Sequence, residues 1–285
     1  MSSFPEFDLQ GHRGARGLLP ENTIPSFLKT LEYEIKTLEF DVVVSADSKI
    51  VLSHEPWFHH HISTKPNGEP VTPDVALQHN MFRMTYTEIA EYDVGKRGHM
   101  LFPEQMPMPA VKPLMRDAII AVEEYIVETG RESIFYNIET KSQEEWYDVF
   151  VPQPEVFARL LYNELKELDV LHKVFIQSFD VRTLQEMRAI DPNVPLVLLV
   201  QNLYGLEENL RLLGFTPDVY SPNYRLVDEE MVKEVHAKGM KIVPWTINDT
   251  KTMKTITNMG VDGLITDYPN RAVTVKPIRQ RLGLN

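Results

Sequence analysis

The stretch 7-FDLQGHRGARGLLPENTIPSF-27 combines a strand, a glycine-rich turn and the beginning of a helix. Its first six residues, FDLQGH, predict a short strand. Gly11, Gly14 and Gly17 lie at the end of this strand and in the turn after it, where they allow the backbone to approach a ligand closely or to take a positive φ. Thr23 is in position to cap a helix that reaches about Tyr33, with Pro25 tolerated in its first turn. The stretch therefore predicts one βα unit.

The same alternation of β-branched runs and amphipathic segments continues almost to the C-terminus. Further strands are predicted at 36–45, 133–140, 173–179, 195–200, 218–222, 241–247 and 261–266, with 49–54 as an extension or hairpin partner of the second. Several strands are continuous apolar runs, which is typical of parallel strands covered by helices. About eight βα units result, and they predict an α/β fold of the TIM (β/α)8 barrel type. The alternative is a doubly wound open sheet, which usually has fewer strands.

The regular pattern is interrupted after the second strand. Residues 55–111 are rich in Pro, His, Asn and Met, and they show only a weak helical pattern near 85–93. This segment predicts a small inserted subdomain between strand two and helix two, not a second core domain. We therefore expect residues 1–285 to form one TIM-barrel domain.

The composition limits the classes of partner and compartment. Apolar residues make up 43% and charged residues 25%, and no apolar run approaches a membrane span, so we expect no stable membrane insertion. The absence of cysteine excludes disulfides and thiolate metal sites. A formal net charge of −12 argues against a nucleic-acid partner. The first residues lack the pattern of a signal peptide, which leaves cytoplasm and periplasm open, and the oligomeric state is also open.

Three carboxylates fall at the ends of predicted strands, where the active site of a TIM barrel lies. Glu39 and Asp41 are two residues apart, so their side chains should project from the same face of strand two, and Glu139 ends strand three. Such a group of oxygen ligands suits Mg²⁺ or Ca²⁺ better than zinc. The alternative is a set of salt bridges to Arg13 or Lys141.

Two histidines follow strand ends on different strands. His12 ends strand one, and His54 ends the extension of strand two, so they could face each other across the barrel mouth. Two imidazoles can donate and accept protons near neutral pH. A single histidine on a strand is more often a satisfied core residue, but two of them beside Arg13 and three carboxylates favour acid–base chemistry.

These residues belong to longer motifs that resemble one enzyme family. The motifs are, in chain order, HRGARGLLPENT, LEFDVVVSADSKIVLSHE, NIETK, IQSFD, PWTIN and GVDGLITDYP. They resemble the glycerophosphodiester phosphodiesterases from about residue 8 to residue 272. The block that contains HRG and PENT is the most specific of these motifs. The pair Glu39 and Asp41, followed by His54, strengthens the resemblance. One departure is Glu55 after His54, where family members more often have Asp.

The resemblance implies a catalytic TIM barrel with a small insertion after strand two. It implies metal-dependent hydrolysis of a small-molecule glycerophosphodiester to sn-glycerol 3-phosphate and an alcohol, with one divalent cation, Mg²⁺ or Ca²⁺. By the same resemblance, the metal ligands are Glu39, Asp41 and Glu139, the acid–base pair is His12 and His54, and the phosphate is held by Arg13 and Lys141. Phe179 and Trp245 could form an apolar wall beside the substrate, although aromatic residues at barrel ends are about as often packing.

Two other functions stay open. A phospholipase D-like barrel acting on intact lipids should show an exposed apolar lip near the mouth, and the insertion offers Met81, Phe82, Met84, Met100, Leu101 and Phe102. A catalytically silent phosphodiester-binding barrel should have lost a histidine or a ligand carboxylate, and none is lost here. A sugar-phosphate isomerase or aldolase would typically have a glycine-rich loop after the late strands, which this chain lacks.

Two further segments carry secondary predictions. In 58-FHHHIST-64, the residues His59, His60 and His61 favour a solvated or substrate-rim loop over a metal site, because adjacent loop residues rarely converge on one ion. Residues 21–23 favour a helix start over a catalytic element.

Overall fold

The computed structural model describes residues 4–284 and has its strands and helices close to the predicted positions. The strands are β1 (Asp8–His12), β2 (Thr37–Val44), β3 (Ile50–Leu52), β4 (Phe135–Thr140), β5 (Val174–Ser178), β6 (Leu196–Val200), β7 (Val219–Pro222), β8 (Lys241–Ile242) and β9 (Gly263–Thr266). The helices are α1 (Ile24–Thr30), α2 (Tyr86–Ile89), α3 (Met115–Thr129), α4 (Pro154–Glu167), α5 (Val181–Ile190), α6 (Leu206–Leu213), α7 (Glu229–Ala237), α8 (Thr250–Asn258), α9 (Pro269–Ala272) and α10 (Lys276–Arg281). Residues 1–3 and 285, the two ends of the predicted domain, lie outside the described residues.

Eight parallel strands form a barrel. Their hydrogen-bonded order is β8-β7-β6-β5-β4-β2-β1-β9. Backbone hydrogen bonds join the two ends of this order, because Ile242 O accepts from Asp262 N–H at 2.9 Å and Pro244 O accepts from Ile265 N–H at 3.0 Å. β3 pairs with β2 in the antiparallel direction, so the hairpin alternative for residues 49–54 is confirmed. The predicted TIM-barrel fold is confirmed as well.

Alternate residues of each strand face the helices and the barrel interior. On β2, Phe40 and Val42 belong to the large apolar core between sheet and helices. Glu39 and Asp41 therefore point inward. A separate apolar cluster fills the interior between the later strands, and it consists of Phe175, Val197, Val219, Val243 and Ile265, with Phe4, Phe135 and Trp245 packed against it. Charged side chains are thus concentrated on the inner face of the first strands.

The turn after β1 is tight enough to require glycine. Gly14 has φ +82° and the preceding Arg13 has φ +50°. At Gly11, a Cβ atom would lie 2.4 Å from Thr30 Cγ2 and 2.8 Å from the Gly14 carbonyl oxygen, so a larger residue would displace α1. Thr23 caps α1 by accepting a backbone N–H of the first turn, as predicted. The turn fixes the direction in which His12 and Arg13 leave the strand.

Residues 55–111 pack on the β2–β3 hairpin. Their apolar cluster consists of Phe58, Ile62, Val71, Ala76, Met81, Ile89, Tyr92 and Val94, together with Val43 and Val51 of the hairpin. The weak helical pattern near 85–93 corresponds to α2. The apolar residues of this segment have different environments, since Met81 is fully buried whereas Met100 and Leu101 are 79% and 65% exposed.

Candidate active site

The side chains predicted for the site come together at the C-terminal ends of the barrel strands. One cavity of about 260 Å³ is lined by His12, Arg13, Glu39, His54, Glu139, Lys141, Phe179 and Trp245, with further contributions from Arg16, Gln177, Leu199, Gln201, Thr246 and Ile265. The remaining predicted residue, Asp41, is fully buried and contacts the same group through Arg13 and Lys141. Residues from β1, β2, β4 and the end of β3 therefore meet in one place.

Glu39, Asp41 and Glu139 form a carboxylate cluster. One oxygen of each lies within 4.8 Å of the other two, because Glu39 and Asp41 share a face of β2 and Asp41 is in register with Glu139 on β4. Burial, followed by the charges of Asp41 and Glu139, raises the pKa of Glu39 well above its usual value. Burial also raises the pKa of Glu139 to about 7, against the opposing effect of Lys141. Three carboxylates at this distance repel each other, which favours a cation among them.

Two basic side chains contact the carboxylate cluster. Arg13 Nε lies 3.0 Å from Asp41 Oδ2, and Lys141 Nζ lies 2.6 Å from Glu139 Oε1 and 3.7 Å from Asp41 Oδ1. The Arg13 backbone N–H donates to Glu39 Oε2 at 2.9 Å. Burial alone would raise the pKa of Asp41, but the Arg13 guanidinium holds it well below its usual range. The salt bridges that the sequence offered as an alternative to a metal are thus present.

The carboxylate cluster nevertheless fits a divalent cation. Asp41 Oδ1 is buried and accepts no hydrogen bond from the described part of the chain. The two basic side chains form their ion pairs with Asp41 and Glu139, which leaves Glu39 with a raised pKa. All the donors are carboxylate oxygens, the ligands that Mg²⁺ and Ca²⁺ prefer. The cluster can therefore hold a divalent cation of this kind.

His12 is oriented by a carboxylate from the last strand of the barrel. Its Nδ1 donates to Asp267 Oδ1 at 2.6 Å, and Asn248 Nδ2 donates to Asp267 Oδ2 at 2.7 Å. The other ring nitrogen, Nε2, lies 3.9 Å from Glu39 Oε2. Burial lowers the pKa of His12, although the Asp267 charge opposes this effect. A neutral ring held in this way presents an unprotonated Nε2 beside the carboxylate cluster.

His54 has the same kind of partner. Its Nδ1 donates to Glu55 Oε1 at 2.5 Å. Burial and the nearby positive charges of Arg13 and Lys141 lower the pKa of His54 to about 4. In Glu55, the charge of His54 lowers the pKa to about 2 against the effect of burial. Both histidines of the cavity therefore have Nδ1 bound to a carboxylate, and within residues 4–284 no hydrogen bond to Nε2 of either ring is present.

Sequence reasoning missed four polar partners of the site. In the sequence, Asp267 appears only as part of the motif GVDGLITDYP, and Glu55 only as a departure from the family pattern. Glu21 and Asn22 were interpreted as part of a helix start, which is correct only for Thr23. The signal for Glu21 and Asn22 was the polar run that follows Pro20, but the same run is typical of helix caps.

Glu21 and Asn22 connect the turn to the buried charges. Asn22 Nδ2 donates to Asp41 Oδ2 at 2.9 Å, and Asn22 Oδ1 accepts the Asp41 backbone N–H at 3.2 Å. Glu21 is buried and pairs with Arg13 at 3.0 Å and with Arg16 at 2.5 Å. The two side chains thereby fix the positions of Asp41 and Arg13.

Phe179 and Trp245 lie side by side at the cavity. Their ring centroids are 5.4 Å apart in an edge-to-face arrangement, and Trp245 Nε1 donates to Ser221 O at 2.8 Å. Phe179 is 41% exposed, which is unusual for a residue whose role is core packing. A second cavity of about 400 Å³ adjoins the first one and shares Glu139, Lys141, Phe179 and Leu199 with it.

Within residues 4–284, no helix is long and apolar enough to cross a lipid bilayer.

Known proteins resemble the chain over almost its whole length. The model of the glycerophosphoryl diester phosphodiesterase family matches residues 12–271. A glycerophosphodiester phosphodiesterase from Caldanaerobacter subterraneus is 28% identical, with 93% of this chain and 95% of the relative covered. One from Bacillus subtilis is 26% identical, with 93% and 85% covered.

Solved structures share the fold. A structure from Silicibacter pomeroyi that carries the same family name is 26% identical, with a TM-score of 0.84 and coverage of 99% of this chain and 96% of that one. A phosphodiesterase from Oleispira antarctica, solved in complex with the product sn-glycerol-3-phosphate, is 21% identical, with a TM-score of 0.73 and 96% of each chain covered.

Proposed function

The chain belongs to the glycerophosphoryl diester phosphodiesterase family, and we propose on this basis that it hydrolyses glycerophosphodiesters to sn-glycerol 3-phosphate and an alcohol. One observation carries the proposal: two carboxylate-bound imidazoles, a carboxylate cluster and two basic side chains surround a single cavity. The reaction takes place in one catalytic TIM-barrel domain, residues 1–285, in which 55–111 is an inserted subdomain. The Oleispira relative was solved with the same product bound.

The basic side chains bind the phosphate, and the carboxylate cluster binds the cation. Arg13 offers the planar, bidentate donor geometry that matches phosphate oxygens, and Lys141 adds a point charge. Glu39, Asp41 and Glu139 hold one divalent cation, Mg²⁺ or Ca²⁺. When bound there, the cation would act as a Lewis acid that stabilises the negative charge developing on the phosphoryl oxygens.

His12 and His54 transfer the protons of the reaction. With Nδ1 bound to Asp267 or Glu55, each ring directs Nε2 to the substrate. One neutral ring removes the proton from the nucleophile, which is a substrate hydroxyl or a water molecule. The other ring donates a proton to the leaving alkoxide oxygen, and the negative charge of the bound phosphate favours its protonated form.

The aromatic pair forms an apolar wall beside the glycerol or alcohol part of the substrate. Phe179 stands between the two adjoining cavities, because it lines both of them. The first cavity holds the phosphate, so the second one is available for a bulky alcohol. Trp245 supports Phe179 through the edge-to-face contact.

The proposal is tested by measuring the release of glycerol phosphate from a panel of glycerophosphodiesters. We expect release that is lost with EDTA and restored by Mg²⁺ or Ca²⁺. Release that persists in EDTA would contradict the role of the metal. No release with any metal would contradict the substrate class and would favour a barrel that binds phosphodiesters without turning them over.

Hydrolysis of an intact lipid is the second candidate function, and one observation favours it. Met100 and Leu101 are strongly exposed, and the next residue, Phe102, stacks under the Arg16 guanidinium at 4.5 Å. Because Arg16 lines the cavity, this apolar pair lies near its mouth. Release of the head group from phospholipid vesicles, reduced by Met100→Ser with Leu101→Ser, would support the lipid substrate. Unchanged hydrolysis of soluble diesters in that variant is the matched control.

A further inference from the structure

The three adjacent histidines of the inserted segment converge in the structure. The ring centroids are 4.4 Å apart for His59 and His60, 4.6 Å for His59 and His61, and 4.3 Å for His60 and His61. One nitrogen of each ring lies within 4.8 Å of the other two. The three rings therefore lie closer together than the prediction of a solvated loop anticipated.

A tight turn brings the three rings together. The Ser63 backbone N–H donates to His59 O at 3.0 Å, and the Ile62 N–H donates to the same oxygen at 3.3 Å, so the chain folds back within one turn. Arg97 Nη1 holds this turn from outside by donating to His60 O at 3.1 Å and to Ser63 O at 3.0 Å. The convergence depends on a tertiary contact 37 residues away in the sequence, which explains why local reasoning did not predict it.

The ring nitrogens of the histidine cluster (His59, His60 and His61) make almost no hydrogen bonds with the described residues. Within residues 4–284, the only hydrogen bond to any of them is the long one, 3.2 Å, that His59 Nδ1 accepts from the His61 backbone N–H. The His99 ring lies next to the cluster, with its centroid 5.8 Å from that of His61. Binding of a cation would cost one long hydrogen bond at most.

We propose that the histidine cluster binds one divalent transition-metal ion of the zinc class. Three imidazoles are a nitrogen donor set that suits Zn²⁺, Cu²⁺, Ni²⁺ or Co²⁺ and is unsuited to Mg²⁺ or Ca²⁺. Metal–nitrogen bonds of roughly 2.0–2.1 Å place tetrahedral ligand atoms roughly 3.4 Å apart. The half-buried rings reach this separation by side-chain rotation, since the described residues provide no hydrogen bonds to the ring nitrogens of His60 or His61.

The histidine cluster differs from the carboxylate cluster in ligand type. The carboxylate cluster consists of three oxygen donors inside the barrel, and the histidine cluster consists of three nitrogen donors on the inserted segment. A protein with both clusters should bind a different kind of cation at each, and neither cation should displace the other. The inference does not rest on the proposed hydrolysis, because it concerns residues outside the cavity.

Zinc binding to the chain without a histidine tag tests the inference. Equilibrium dialysis with excess Mg²⁺, which occupies the carboxylate cluster, should give one zinc ion per chain. The double variant His60→Gln with His61→Gln should bind zinc at least about tenfold more weakly. His172→Gln, which removes an exposed histidine elsewhere, is the matched control and should bind zinc as the unaltered chain does.

Two outcomes would overturn the inference: no zinc bound under these conditions, or the same affinity in the double variant. A second measurement does not depend on variants. Co²⁺ added in the presence of Mg²⁺ should give the visible absorption of a nitrogen-ligated ion, and Zn²⁺ should displace it one for one. A spectrum identical to that of hydrated Co²⁺ would also contradict the site.

Discussion

Two aspartates in the barrel interior have the same burial and opposite electrostatics. Asp8 at the start of β1 and Asp41 near the end of β2 are both 0% exposed. Asp41 contacts Arg13, and its pKa lies well below the usual range. Asp8 accepts hydrogen bonds from Thr37 Oγ1 at 2.5 Å and Gln10 Nε2 at 2.6 Å, and burial raises its pKa to about 6.

The difference shows that buried carboxyl groups have different roles at the two ends of the barrel. The one at the base belongs to the structural framework, and the one at the mouth belongs to the site. A chain of neutral amides leads from Asp8 to the mouth: Gln10 Oε1 and Gln177 Oε1 both accept from Asn137 Nδ2, and Gln177 Nε2 donates to Glu39. At the base, the side-chain hydrogen-bond partners of the Asp8 carboxyl group are the neutral groups of Thr37 and Gln10. At the mouth, the Arg13 guanidinium keeps Asp41 ionised at neutral pH, which is what cation and phosphate chemistry requires.

The comparison predicts that substitution of the two aspartates differs most in its effect on activity. Asp41→Asn should lower kcat/KM by at least about 10³, because it removes a proposed metal ligand and the partner of Arg13. Asp8→Asn should leave kcat/KM unchanged. Steady-state kinetics on one glycerophosphodiester measures both, and similar losses in the two variants would remove the distinction between base and mouth.

Substitution of either histidine at the mouth should impair proton transfer and leave metal binding intact. His12→Ala and His54→Ala should each lower kcat by about 10²–10⁴, the usual contribution of acid–base catalysis. Their affinity for Mg²⁺ or Ca²⁺, measured by calorimetry, should be that of the unaltered chain. Asp41→Asn is the contrasting control, since it should lose metal affinity. A histidine variant with full activity would refute the proton-transfer role.

At the base, Asp8 should make stability depend on pH. Its pKa is raised from 3.8 to about 6 in the folded chain, so its stabilising contribution is present below pH 4 and is lost as the pH rises through 6. Asp8→Asn should therefore be more stable than the unaltered chain at pH 8, by up to about 3 kcal/mol, and equally stable near pH 4. Urea unfolding at both pH values measures the difference. An advantage that does not change with pH would contradict the raised pKa.

Glu39 should behave like Asp8 until a metal binds. Because burial and the neighbouring carboxylates raise its pKa, Glu39→Gln should stabilise the metal-free chain by about 1 kcal/mol. With Mg²⁺ or Ca²⁺ present, the unaltered chain should gain more stability than the variant. Thermal unfolding with and without metal tests this reversal. An equal gain in both proteins would exclude Glu39 as a ligand.

The sequence predicted the features that follow from local periodicity. The period of two along β2 was enough to assign Glu39 and Asp41 to one face of the strand. The predicted strand 241–247 is longer than β8, which spans Lys241–Ile242, although Val243 N–H still donates to Tyr220 O at 3.2 Å and Trp245 N–H to Pro222 O at 3.2 Å. Pro244 has no N–H to donate, although its carbonyl oxygen still accepts from β9.

Features that depend on tertiary contacts were not predictable in the same way. The bond between His12 and Asp267 joins residues 255 positions apart. Asn22 resembles an ordinary residue before a helix until the fold brings Asp41 to it. The histidine cluster similarly depends on Arg97. Each of these side chains was visible in the sequence, but its partner was set by the closure of the barrel or by the packing of the inserted segment.

The bond between the first and last barrel strands also affects how the protein is made. During translation, β1 and the carboxylates of β2 leave the ribosome long before Asp267 does, and domains generally acquire structure from the N-terminus. His12 cannot gain its orienting carboxylate until residue 267 has emerged. A nascent or prematurely terminated chain that lacks residue 267 therefore carries nearly all the residues of the site without its final geometry.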